Sequence, residues 1–169
     1  MNKRIGLIGS NSSVANKIQL DFAFKLGIAL VDNHFDIING GMGGVMEASS
    51  KGAQNSEKYD RGSVIGFLPT INRDEGNRFS GIQILSDIGF ARNRFIILNS
   101  AAIIGIGGGA GTLNEFALAW QLQKPIGAFT EGGGWASELA GRKIDTRFDS
   151  KIIPLSNIED AIQWLNSLF

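Results

Sequence analysis

Short β-branched runs alternate with longer segments whose apolar residues recur at helical spacing, which predicts an α/β fold on a parallel sheet. Arg4 to Ile8 reads as the first strand, running into the polar turn Gly9-Ser10-Asn11-Ser12-Ser13. A helix follows from about Val14 to Val31, with Ile18, Phe22, Leu26 and Ala29 on one face. Phe35 to Ile38 is the second strand, ending at Asn39-Gly40-Gly41-Met42-Gly43-Gly44, and Val45 to Asn55 the next helix. A third strand lies near Ser63 to Phe67, a polar loop fills Pro69 to Gly81, and Ile82 to Leu85 is a fourth strand. Ile88 to Asn99 reads as a helix, Ala102 to Ile106 as a strand, and the next helix runs to Gln123. Lys124-Pro125 closes it, because proline disfavours helical geometry in the residue before it. Ile126 to Thr130 is a strand, Glu131-Gly132-Gly133-Gly134-Trp135 a turn, Lys151 to Leu155 a last strand and Ile158 to Leu168 a closing helix. No Pro/Ser-rich divider or fixed-period repeat interrupts the pattern. The expectation is a single domain over residues 1–169, Rossmann-like and doubly wound, with a mostly parallel sheet flanked by helices.

The glycine clusters at positions 9, 40–44, 107–111 and 132–134 each follow a predicted strand. In a parallel sheet such turns share the carboxyl edge, where doubly wound folds bind ligands near the reversal of strand order. Four glycine turns on one edge predict one shared pocket.

The strongest chemical signal is Ile103-Ile104-Gly105-Ile106-Gly107-Gly108-Gly109-Ala110-Gly111-Thr112-Leu113-Asn114-Glu115. An apolar run ends in a glycine turn and a helix opens at once. Backbone N–H groups there can approach an anion, aided by the helix's free first-turn donors and its dipole. Gly107, Gly108, Gly109, Gly111 and Thr112 are therefore candidate phosphate-binding residues, with Glu115 close beside them. Gly9 and Ser10 either cap a helix or touch the ligand. Gly40, Gly41, Gly43 and Gly44 allow close backbone approach either to a ligand or to a neighbouring helix. Arg92 and Arg94, on the segment leading into the motif strand, either form a solvated basic face or supply one arginine to the anion. Asp145 and Arg147 read as a structural ion pair, Trp135 as a cover over the core, and His34 as a surface residue. Gly40 to Gly44 is not a Gly-x-Gly-x-x-Gly fingerprint, and no Gly-x-x-x-x-Gly-Lys-Ser/Thr occurs, which argues against a P-loop NTPase.

Composition narrows the classes further. Hydrophobic residues at 43% and charged residues at 19% exclude a disordered chain. Sixteen basic residues balance sixteen acidic ones, which removes the net positive field expected of a duplex nucleic-acid binder and leaves room only for a local patch, so no nucleic-acid partner is expected. The chain has no cysteine and one histidine, so no thiolate or histidine-built metal site is expected. No window approaches the roughly 18 apolar residues of a membrane span. Met1-Asn2-Lys3-Arg4 leads into too short an apolar stretch for a signal peptide. A cytoplasmic protein without a membrane partner is expected.

Gly40-Gly41-Met42-Gly43-Gly44-Val45-Met46, Ala91-Arg92-Asn93 and Gly107 to Glu115 together resemble the LOG family, once labelled lysine decarboxylase-like and comprising cytokinin riboside 5′-monophosphate phosphoribohydrolases. Arg92 and Glu115 fall at the spacing of that family's arginine and catalytic glutamate. The chain departs from the enzymes at Gly107 (usually proline), Asn93 (usually lysine) and Asn114 (usually glutamate). Ala91-Arg92-Asn93, the triple glycine and Gly133-Gly134-Trp135-Ala136 look more like the branch that includes the molybdenum-cofactor carrier protein. The resemblance implies a pocket for a nucleoside 5′-monophosphate, with Arg92 and Glu115 catalytic and Asn93 among the ligand-binding residues. It implies hydrolysis of the N-glycosidic bond to free base and ribose 5-phosphate, or alternatively a non-catalytic carrier of a phosphorylated ligand. No cofactor or metal is required; the bound species is a nucleotide or a molybdopterin-type molecule. A homodimer or larger homo-oligomer is implied, and Phe116-Ala117-Leu118-Ala119-Trp120 suits either an interface or the core.

Overall fold

The computed structural model describes residues 2–169. Its strands are β1 (Lys3–Gly9), β2 (Phe35–Asn39), β3 (Val64–Leu68), β4 (Ile82–Leu85), β5 (Ala102–Ile106), β6 (Ile126–Phe129) and β7 (Ile153–Leu155). The helices are α1 (Lys17–Asp32), α2 (Val45–Ala53), α3 (Asn93–Leu98), α4 (Ala110–Gln121), α5 (Gly134–Leu139) and α6 (Ile158–Leu168). All strand pairs are parallel, in one seven-stranded sheet of order β4-β3-β2-β1-β5-β6-β7. The expected Rossmann-like α/β sheet is therefore present. Strand order reverses between β1 and β5, so the crevice favoured for ligands opens outside the carboxyl ends of those two strands.

Alternate side chains of the central strands feed two cores. Ile5, Leu7, Ile37 and Ile104 pack under α1, α2 and α6 through Phe22, Leu26, Val45 and Leu165. Ile8, Ile38 and Ile103 pack on the other face against Ile96 and Ile97 of α3, Phe116 and Trp120 of α4, and Ala136 of α5. Strands buried on both faces read as continuous apolar runs, as β1 and β5 do. Phe116, Ala119 and Trp120 are buried in the core, while Ala117 and Leu118 of the same apolar stretch are half-buried.

Three elements depart from expectation. α1 begins at Lys17, not Val14, because Asn16 takes the cap: its side chain accepts the Gln19 N–H at 3.0 Å while Gln19 Oε1 accepts the Asn16 N–H. The single helix expected over Ile88 to Asn99 is split. Gly89 has φ +55°, and a 3-10 turn (Gly89–Arg92) precedes the short α3. α5 was not anticipated, because its start sits inside the Gly132-Gly133-Gly134 run, a poor helix signal.

Candidate functional site

At the carboxyl ends of β1 and β5, a cavity of about 250 Å³ is lined by residues of β1, of the loops after β1 and β2, of the Gly89–Arg92 turn and of α4. The cavity lies at the strand-order reversal. Of the residues singled out from sequence, Gly9, Gly40, Arg92, Asn93, Gly109, Gly111, Thr112 and Glu115 line it.

The remaining glycines and Ser10 stand behind this wall. Ser10 Oγ accepts the Gly108 N–H at 2.8 Å and its carbonyl accepts the Val45 N–H at 2.9 Å, so one residue ties the turn after β5 to the start of α2. Gly107 and Gly108 have φ +63° and +94°, conformations that side chains other than glycine rarely adopt. Gly41 backs onto Gly66 and Leu68, and Gly44 onto the Ser10–Asn11 backbone. Gly43 faces a second cavity, with Glu47, Lys51 and Arg78. The fourth glycine turn is a buttress, not part of the expected shared pocket. Trp135 N–H donates to the Gly108 carbonyl at 3.0 Å and Ala136 N–H to that of Gly107 at 2.9 Å.

This frame presents the start of α4 to the cavity. Gly109 caps the helix with no side-chain hydrogen bond, and a methyl group at Gly109 or Gly111 would meet nothing within 4 Å. Uncapped first-turn N–H groups beside open space are the kind of donors that an anion can engage.

Opposite charges flank it. Arg92 is buried, its Nε has no hydrogen-bond partner, and its guanidinium lies over Gly40. A methyl group at Gly40 would sit 2.5 Å from Nη1, so the glycine makes room for the arginine. Glu115 is also buried. Burial pushes its carboxyl up from 4.5 to about 7, against the opposing attraction of Arg92. The Arg92 pKa is lowered by burial, and Glu115 counteracts this. Ion pairs within 4.0 Å among the described residues join Lys25–Asp21, Lys143–Asp149 and Arg147–Asp145; Arg92 and Glu115 are not among them. Asn93 Nδ2 donates to Asn114 Oδ1 at 3.1 Å, fixing the turn that carries Arg92 to α4.

Arg94 is exposed and off the cavity, as is His34, while Asp145 and Arg147 form the ion pair expected of them. Asn11, in the first turn weighed for ligand contact, also lines the cavity, and sequence reasoning missed Val14, Met46, Phe90 and Ala110, which line it too. Phe90 stands next to the Ala91-Arg92-Asn93 signal, so adjacency was the available clue.

A model of the SLOG cluster4 family matches residues 2–162. A protein of Archaeoglobus fulgidus described as uncharacterized is 39% identical over 123 residues, covering 73% of this chain and 77% of that one. The solved structure of the molybdenum cofactor binding protein from Rippkaea orientalis is 30% identical with a TM-score of 0.86, covering 99% of this chain and 98% of that one. The molybdenum cofactor carrier protein from Chlamydomonas reinhardtii is 28% identical with a TM-score of 0.82 over the same shares. Among the described residues, no helix is long and apolar enough to cross a membrane.

Proposed function

This chain belongs to the SLOG cluster4 family, and from that premise we propose that its cavity binds a nucleoside 5′-monophosphate-type ligand and hydrolyses the N-glycosidic bond. The observation that carries this is the buried, unpaired Arg92–Glu115 couple facing the uncapped start of α4. The phosphoryl group sits on the amides of Gly109 to Gly111 with the Thr112 hydroxyl. Arg92 adds charge-assisted hydrogen bonds, and Asn93 holds the Arg92 turn in register. The C1′–N bond breaks with its electrons leaving on the base, and C1′ acquires oxocarbenium character. Ionised Glu115 stabilises that charge and accepts the proton of the water that adds to C1′. Solvent protonates the departing base, and the products are free base and ribose 5-phosphate.

A second reading, a carrier that holds a phosphorylated ligand such as a molybdopterin-type molecule without turnover, is favoured by two observations. Asn93 replaces the lysine usual in the enzymes, and relatives at 28–30% identity are named as molybdenum cofactor binding or carrier proteins. Chromatography of base released from AMP separates the readings. Release that disappears in Glu115→Ala supports hydrolysis. Ribose 5-phosphate binding without release supports the carrier. No binding of either compound refutes both.

The homo-oligomer reading draws support from exposed apolar side chains on edge strand β4 and, separately, on α3. Ile82, Ile84, Phe95 and Leu98 are all exposed there, and Ile82 and Ile84 pair in register with Ile65 and Phe67.

A further inference from the structure

We propose that Phe90 and Val14 form an apolar clamp at the mouth of the cavity that grips the planar heterocycle of the ligand, making Phe90 a specificity-determining residue. The inference rests on the anion-site reading above and goes beyond it by assigning the other end of the ligand.

Phe90 is 85% exposed and Val14 62%, yet both line the same cavity as Arg92, Glu115 and the start of α4. Large apolar side chains left in water beside a pocket that also holds an arginine and a carboxyl group form a surface awaiting an apolar partner. The two arrive from different directions. Val14 precedes α1, which packs on one face of the sheet, whereas Phe90 precedes α3, which packs on the other. Neither is a floppy tip. The Ala15 N–H donates to the Asn11 carbonyl at 2.9 Å, just after Val14. The Gly89 N–H donates to the Pro69 carbonyl at 3.0 Å and Ser86 Oγ to that of Leu68 at 2.6 Å, just before Phe90. Asp87 and Gly89 both have positive φ, so the chain bends twice to bring Phe90 to the rim with Arg92 two residues on.

Size points the same way. At about 250 Å³, the cavity falls below the roughly 300–1,000 Å³ of pockets that enclose a whole small molecule. The phosphoryl end takes the amides and Arg92, and the ring is left at the rim, where Phe90 offers an aromatic face. A bare sugar phosphate makes no use of that face. A phosphorylated planar heterocycle does.

Calorimetric titration of ribose 5-phosphate and AMP into wild type, Phe90→Ala, Phe90→Trp and Val14→Ser, run at about pH 5.5 where Glu115 is largely protonated and turnover of AMP is suppressed, with sedimentation of each variant, tests this. Wild type is expected to bind AMP more tightly than ribose 5-phosphate. Phe90→Ala should weaken AMP about tenfold, within the roughly 5- to 150-fold that one ring–ring stack supports, and leave ribose 5-phosphate within about twofold. Phe90→Trp should restore AMP, and Val14→Ser should weaken AMP by a smaller factor. Binding of both compounds with an unchanged AMP preference in Phe90→Ala overturns the clamp alone. So does equal weakening of both, or a loss that tracks a change in sedimenting mass. Failure of wild type to bind either compound overturns the anion site, and the clamp with it.

Discussion

Replacing Glu115 by glutamine should stabilise the protein above neutral pH and leave it unchanged in acid. Burial holds the Glu115 carboxyl at about 7, against an ordinary 4.5. Between those values the folded protein keeps a proton that the unfolded chain has already released. Stability contributed by this raised pKa is fully present below 4.5, drains as pH rises, and is gone above about 7. At roughly 1.4 kcal/mol per pH unit, the interval is worth about 3 kcal/mol. Glutamine fills the same volume and never ionises. Glu115→Gln should therefore match wild type near pH 4.5 and exceed it by up to about 3 kcal/mol at pH 8, or roughly 6–12 °C in Tm for a chain of this size. Scanning calorimetry of both proteins at half-unit steps from pH 4.5 to 8.5 reads this directly, with urea midpoints as a second measure. Two parallel stability curves would refute the reasoning. The same proton bears on turnover: the base role requires the carboxylate, so base release should rise through pH 7 and vanish in the variant. A carrier would show the stability effect without that rate profile.

Arg92→Met removes the attraction that holds the Glu115 pKa down, so the fall in stability, starting from the same 4.5, should continue to higher pH and become larger. The same variant should weaken ribose 5-phosphate about tenfold or more in calorimetric titration. Gly111→Ala adds a methyl group where nothing lies within 4 Å. It should raise stability by about 0.5–1 kcal/mol through better helix propensity, while loss of ribose 5-phosphate binding marks the amide face it covers. Gly108→Ala should cost about 2 kcal/mol or more, read as a drop in Tm, because φ is +94° and the methyl group would meet the Thr112 side chain. Ile84→Glu, on the exposed β4 strip, should shift sedimentation from oligomer to monomer without moving the Tm of the monomer by more than about 0.5 kcal/mol equivalent.

Much of the fold was legible because each face of the sheet imposes its own periodicity. β4, β5 and α6 occur where β-branched runs and helical spacing put them, Ile82–Leu85, Ala102–Ile106 and Ile158–Leu168. The misses occur where contacts distant in sequence decide the boundary. Val14 and Ala15 extend the apolar pattern of α1, but Asn16 Nδ2 and Gln19 Nε2 both donate to the Gly132 carbonyl at 2.8 Å, more than a hundred residues on. That pair anchors the cap of α1 to the fourth glycine turn and leaves Val14 outside the helix. The start of α5 depends likewise on long-range bonds: Trp135 and Ala136 N–H groups find their acceptors on Gly107 and Gly108. No local propensity encodes that.

The site was legible as a composition of glycines but not as a division of labour among them. Gly107, Gly108 and Gly134 serve packing: a methyl group at Gly134 would lie 2.6 Å from the Gly107 carbonyl carbon. Gly109 and Gly111 instead open onto space, and sequence has no local sign of which glycine faces a neighbour and which a void. Phe90 escaped notice because an aromatic residue within an expected helix reads as core. Electrostatics separates structure from function more sharply. Away from the cavity, Arg147 and Asp145 pair directly at 2.5 Å, and the Trp120 indole N–H donates to the same carboxylate. Arg92 and Glu115 are buried, attract one another and still make no direct pair, with Arg92 Nε unsatisfied and the Glu115 carboxyl lifted toward neutrality. Both are costly arrangements, and among the described residues Arg92 and Glu115 are the charged side chains that are buried. Closing the gap would relieve both, and Gly40 and Gly109 to Gly111 keep that gap lined with backbone. The unpaired Arg92 charge lies where strand order reverses, beside the uncapped start of a helix, and an anionic group bound there would compensate both.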